Sequence, residues 1–101
     1  MGDIIRILVV DDEVAQMQAV CDVLHEYGFS CKGFSSSLSA LNTLKSGEFD
    51  LVLTDLMMPE LDGILFLQAA LRKDPDLVCI IMTGVGTIAT AVEAIDRKSV
   101  V

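Results

Sequence analysis

The sequence predicts an α/β domain with a doubly wound parallel sheet, helices lying on both of its faces. Three observations carry this. Short apolar, β-branched runs alternate with segments of helical periodicity. The joins between them are short, with no linker or low-complexity stretch. Several apolar runs end in a residue that can do polar chemistry. Alternation with short connections implies parallel strands and crossover helices.

The first strand is Ile4-Ile5 and Ile7 to Val10, stopped by Asp11-Asp12-Glu13. Val14, Met17, Cys21 and Leu24 recur at helical spacing and form the apolar face of a first helix, which Gly28 ends as a C′ residue. Phe29 to Phe34 reads as a short strand. Ser35, Ser36 and Ser37 offer N-caps for a second helix with Leu38, Leu41 and Leu44 on one face and Gly47 at its close. Asp50 to Asp55 is a third strand ending in an acid. Leu56 to Asp62 is a loop, since Pro59 fits neither a central strand nor a helix interior. Gly63 to Lys73 is a third helix stopped by Asp74-Pro75. Leu77 to Met82 is a fourth strand, Thr83 to Thr87 a glycine-rich loop, and Ile88, Ala91, Val92 and Ile95 the face of a fourth helix.

The 101 residues suit one compact domain. Mean hydropathy is +0.58, as expected where strands are buried on both faces. No apolar run reaches the roughly 18 residues of a membrane span, and the opening Met-Gly-Asp lacks a secretory signal pattern. Fifteen acids against seven bases give a net charge of −8, with no basic stripe for direct nucleic-acid binding. Cys21, Cys31 and Cys79 are scattered, and read as reduced thiols serving as small apolar residues in a cytoplasmic protein. His25, the single histidine, reads as a surface residue near a helix end.

In a doubly wound sheet the site lies at the carboxyl ends of the strands, where strand order reverses. Asp11-Asp12, Asp55 and Thr83 stand at three such ends. The acids fall into two groups, Asp11-Asp12-Glu13 and Asp55-Glu60-Asp62. Carboxylates brought within a few ångströms repel, and a hard divalent cation such as Mg²⁺ relieves this while bridging to phosphate. A carboxylate can also act as a nucleophile toward phosphorus. The Thr83 hydroxyl and the Gly84 N–H suit a phosphoryl oxygen. Each residue has a plainer alternative. Asp12 can N-cap the first helix, Asp55 can form a turn, and Thr83 can open a glycine-rich turn. Their joint order on successive strand ends favours a site.

These residues resemble the receiver domain family of two-component signalling. Ile7-Leu8-Val9-Val10-Asp11-Asp12-Glu13 is similar to the family's first strand and acidic pair. Asp50 to Pro59 is similar to its phosphorylation strand, Asp62-Gly63 follows at the usual interval, and Ile80-Ile81-Met82-Thr83-Gly84 is similar to the fourth strand and its switch hydroxyl. The resemblance implies a flavodoxin-like order, 2-1-3-4-5 in a full receiver. It implies that Asp55 accepts a phosphoryl group from a sensor histidine kinase or phosphotransfer protein. Asp12, Asp55 and the Met57 backbone carbonyl would bind Mg²⁺, and Asp11 would contribute largely through water. Thr83 would turn toward the modified Asp55, Gly84 would offer its N–H, and Met57 and Val85 would tune phosphoryl lifetime. Such a domain is no enzyme beyond its own phosphorylation and dephosphorylation, and it switches partner or output-domain interactions.

The family also carries a fifth strand with a terminal lysine and an aromatic switch residue, then a fifth helix. No segment here matches them, and Lys98, in or just after the fourth helix, is not given the lysine's role. Residues 1–101 thus read as a receiver shortened at its C-terminal side, with an exposed edge that a homodimer would cover. The alternative function is a pseudo-receiver that is never phosphorylated and serves interaction or dimerisation. A haloacid-dehalogenase-like phosphatase is disfavoured because Met57 stands where its second Asp would be, and a flavin carrier because no phosphate loop follows the first strand.

Overall fold

Alternate side chains of a strand point to opposite faces, so a strand buried on both faces must be apolar throughout. Ile7, Leu8, Val9 and Val10 meet that demand in β1 (Arg6–Val10), each fully buried, and Leu51, Val52 and Leu53 do so in β3 (Leu51–Asp55), where the buried Thr54 hydroxyl donates to Asp55 O. In the computed structural model, which describes residues 4–56 and 58–82, these are the two inner strands. β2 (Ser30–Phe34) and β4 (Val78–Met82) flank them, all pairs are parallel, and the order is β2-β1-β3-β4. The order reverses between β1 and β3. Met57, Thr83, Gly84, Val85, Lys98 and the expected fourth helix lie outside the described residues.

Ile7 and Val9 share one sheet face with Leu51, Leu53, Ile80 and Met82, and there meet Val20, Cys21 and Leu24 of α1 (Val14–Glu26). Leu8, Val10 and Val52 share the other face. They meet Ala40 of α2 (Ser37–Thr43), Leu44, and Phe66, Leu67 and Ala70 of α3 (Gly63–Lys73). The sheet is therefore covered on both sides by helices, the doubly wound arrangement expected. Gly28 ends α1 with φ +88°; its N–H donates to His25 O, and the Phe29 N–H to Leu24 O. This 5→2 and 6→1 pair is a Schellman stop, which needs a residue in the left-handed region.

Three local expectations shift. β1 begins at Arg6, leaving Ile4 and Ile5 exposed. Val14 is exposed at the first position of α1, and the buried stripe runs through Val20, Cys21 and Leu24, with Met17 packed beside it. In α2 the buried positions are Ser37, Ala40 and the C-cap Leu44; Leu38 faces outward and Gly47 (φ +79°) turns the chain beyond the helix rather than capping it. The cysteines are less scattered in space than in sequence. Cys21 on α1 and Cys31 on β2 are in contact, Sγ to Sγ 2.7 Å.

Candidate functional site

The register that pairs Val10 with Thr54 sets the next residues of the two strands side by side, and those residues are Asp11 and Asp55. Asp12 follows Asp11 directly. One carboxylate oxygen from each of Asp11, Asp12 and Asp55 lies within 4.8 Å of the others, at the point where strand order reverses. Asp11 is fully buried, Asp55 half-buried and Asp12 exposed, so the cluster opens to solvent on one side.

Local hydrogen bonding holds Asp11 in place. Its N–H donates to Phe34 O at 3.1 Å, tying it to the end of β2. Its Oδ1 accepts from the Glu13 N–H at 2.9 Å. Its Oδ2 is buried with no hydrogen-bond partner among the described residues. Burial pushes the Asp11 carboxyl above its ordinary range; the Glu13 N–H pulls the other way, and the charges of Asp55, Asp12 and Glu13 add to the rise. A buried carboxylate oxygen without a donor is costly, and a cation, a proton or an ordered water would satisfy it. Three clustered carboxylates form an all-oxygen donor set, which fits a hard divalent cation.

The plainer use of Asp12 does not occur: the N-cap of α1 is Glu13, with no side-chain cap hydrogen bond. Within the second acid group only Asp55 joins the cluster. Asp62 instead N-caps α3, its Oδ1 accepting from the Leu65 N–H at 2.9 Å. Glu60 accepts from Ser36 Oγ at 2.6 Å, and Ser36 also N-caps α2 by accepting from the Ser39 N–H. That contact clasps the β3–α3 loop to α2.

Gly63 gains a meaning that its spacing alone did not carry. Its N–H donates to Leu56 O at 2.9 Å, and a Cβ at this position would collide with the Asp55 carbonyl oxygen and approach Leu56 Cα to 3.0 Å. The start of α3 therefore packs directly on the backbone that carries Asp55. The Asp-Gly pair in the sequence is its only trace, because close backbone approach is a tertiary fact.

The response regulator receiver domain family matches residues 7–100. The chain belongs to this family. ZraR, a transcriptional regulatory protein of Escherichia coli K12, is 37% identical over 93 residues, covering 92% of this chain and 21% of that protein. CpdR, a response regulator receiver protein of Brucella abortus, is 34% identical over 84 residues, covering 83% of this chain and 70% of CpdR. A solved receiver domain from Clostridium thermocellum superposes with a TM-score of 0.76 at 32% identity, covering 95% of this chain and 78% of that one. The receiver thus spans about a fifth of the length of ZraR. Among the described residues no helix is long and apolar enough to cross a membrane.

Proposed function

We propose that this receiver accepts a phosphoryl group on Asp55 from a phosphohistidine on a sensor histidine kinase or phosphotransfer protein, and that the modification alters contacts with a partner or output domain. The observation that carries the proposal is the convergence of Asp11, Asp12 and Asp55 at the switch point, with a buried oxygen on Asp11 that has no partner among the described residues. Asp55, at the end of β3 and half-buried, is open to a donor. One of its carboxylate oxygens forms the new O–P bond, the P–N bond of the phosphohistidine breaks, and the departing imidazole takes a proton.

Asp11, Asp12 and Asp55 would hold Mg²⁺, with the Met57 carbonyl as a further ligand. When bound, the cation supplies charge neutralisation for the phosphoryl oxygens. This chain's own residues position the acceptor. Gly63 lets α3 pack on the Asp55 backbone, and the Glu13 N–H fixes the Asp11 rotamer. Thr83 and Gly84 complete the proposal as hydroxyl and N–H partners of the phosphoryl group. We further assign residues 1–101 to one receiver unit acting in the cytoplasm, without direct nucleic-acid contact, catalysing only its own phosphorylation and dephosphorylation. A homodimer through the sheet edge belongs to the same proposal.

The test is incubation with acetyl phosphate and Mg²⁺, followed by intact mass and peptide mapping. One phosphoryl group on Asp55 is expected, and none on Asp55→Asn. A folded chain that binds Mg²⁺ yet stays unmodified would support the pseudo-receiver reading instead.

A further inference from the structure

Cys21 and Cys31 lie ten residues apart in sequence, on different elements. Two features bring them together. The Schellman stop at Gly28 turns the chain back so that β2 runs beneath α1. Gly33, two residues beyond Cys31 and thus on the same side of β2, carries no side chain where Met17 Sδ and Cys21 Sγ sit; a Cβ there would collide with Met17 and reach Cys21 Sγ at 3.0 Å. The helix therefore approaches the strand closely enough for Cys31 Sγ–H to donate to Cys21 Sγ at 2.7 Å. Both cysteines are free thiols. Cys21 is buried and Cys31 half-buried, so the pair has one solvent-facing member. Cys79 packs with the cluster on the opposite sheet face and cannot reach either in the folded chain.

We propose that Cys21 and Cys31 are a redox modification site, a dithiol that a peroxide converts to a reversible disulfide linking α1 to β2. The site is separate from the acidic cluster: Cys31 is the second residue of β2, whereas Asp11 is tied to Phe34 at that strand's far end. The shared proton pulls the Cys21 thiol below its ordinary value and, with burial, pushes Cys31 above it, so the pair's first negative charge rests on Cys21. Cys21 Sγ, the thiolate of the pair, attacks one peroxide oxygen, the O–O bond breaks, and the leaving hydroxide takes a proton to become water. Cys31 Sγ then attacks the Cys21 sulfenic sulfur. The S–S bond forms, the S–O bond breaks, and the second hydroxide leaves as water with the remaining thiol proton. The two sulfurs together lose two electrons and the peroxide is reduced to two waters.

The test treats the native chain with hydrogen peroxide, then unfolds and alkylates it before peptide mapping. Two of the three cysteines should resist alkylation, and a Cys21–Cys31 linked peptide should appear and vanish on treatment with dithiothreitol. Cys79→Ser should behave identically. Cys31→Ala should abolish the link and drive Cys21 on to sulfinic acid. Three alkylatable thiols after peroxide, sulfinic acid at Cys21 of the wild-type chain without a link, or links shared with Cys79 as in the unfolded chain would each overturn the proposal. The wild-type experiment decides even if a variant fails to fold.

Discussion

Asp50 stands just before β3 and Asp11 just after β1, at opposite ends of one sheet, and their surroundings differ in kind. Asp50 accepts from the Arg6 N–H at 2.8 Å and from the Arg6 guanidinium at Nε and Nη2, both 3.1 Å. Arg6 Nη1 also donates to Gly47 O. The Asp50 carboxyl is held below its ordinary value, first by the Arg6 side chain and then by its N–H. Asp11 is buried, has one oxygen without a donor among the described residues and two acidic neighbours within reach, and its carboxyl is pushed up. One end of the sheet uses its acid to fasten the strands. The other gathers three carboxylates and leaves one buried Asp11 oxygen without a partner among the described residues.

The contrast breaks hardest at Gly63. Gly63→Ala places a methyl against the Asp55 carbonyl, and is expected to cost about 1–3 kcal/mol in denaturant melts and to slow phosphorylation of Asp55 in step. Wild-type stability in this variant would mean that α3 does not press on the acceptor strand.

Next comes a pair of opposite sign. In chelator-treated protein, Asp11→Asn keeps an acceptor for the Glu13 N–H and removes a buried charge, so it should stabilise the fold, while Mg²⁺ affinity falls. Asp50→Asn should destabilise it, by less than about 1 kcal/mol because the Arg6–Asp50 pair is solvent-screened. Equal losses from both would erase the distinction between the two ends.

The smallest effect is in the pH dependence of those differences. Asp11 has a folded pKa above the unfolded 3.8, so its ionisation penalty is absent below that value and grows as pH rises toward the folded one. The advantage of Asp11→Asn should thus appear on raising pH through this window and then level off. Asp50 has a folded pKa below 3.8, so its contribution is present above 3.8 and is lost as pH falls through the depressed value. Melts of the three proteins across the acid range separate the two slopes.

Much of this was legible in sequence because the signals were local. Unbroken apolar runs marked β1 and β3, Gly28 marked the end of α1, and acids after strands marked the pocket. The misreadings came where several residues competed for one role. Of the expected stripe, Leu41 and Leu44 pack on the core beside Ala40, whereas Leu38 is exposed and Ser37 is buried. Glu60 and Asp62 look like members of an acidic cluster, but the Ser36 hydroxyl claims Glu60 and the N-terminus of α3 claims Asp62. Cys21 and Cys31 have no spacing motif, since their contact depends on the bare backbone at Gly33.

The most direct measurement is an NMR titration of the full chain with MgCl₂, tracking backbone amides. Saturable shifts centred on residues 10–13 and 54–56, lost in Asp12→Asn, are the predicted result. Shifts that never saturate, or that centre on Asp50 and the opposite end of the sheet, would contradict the claim that Asp11, Asp12 and Asp55 form one cation-binding pocket.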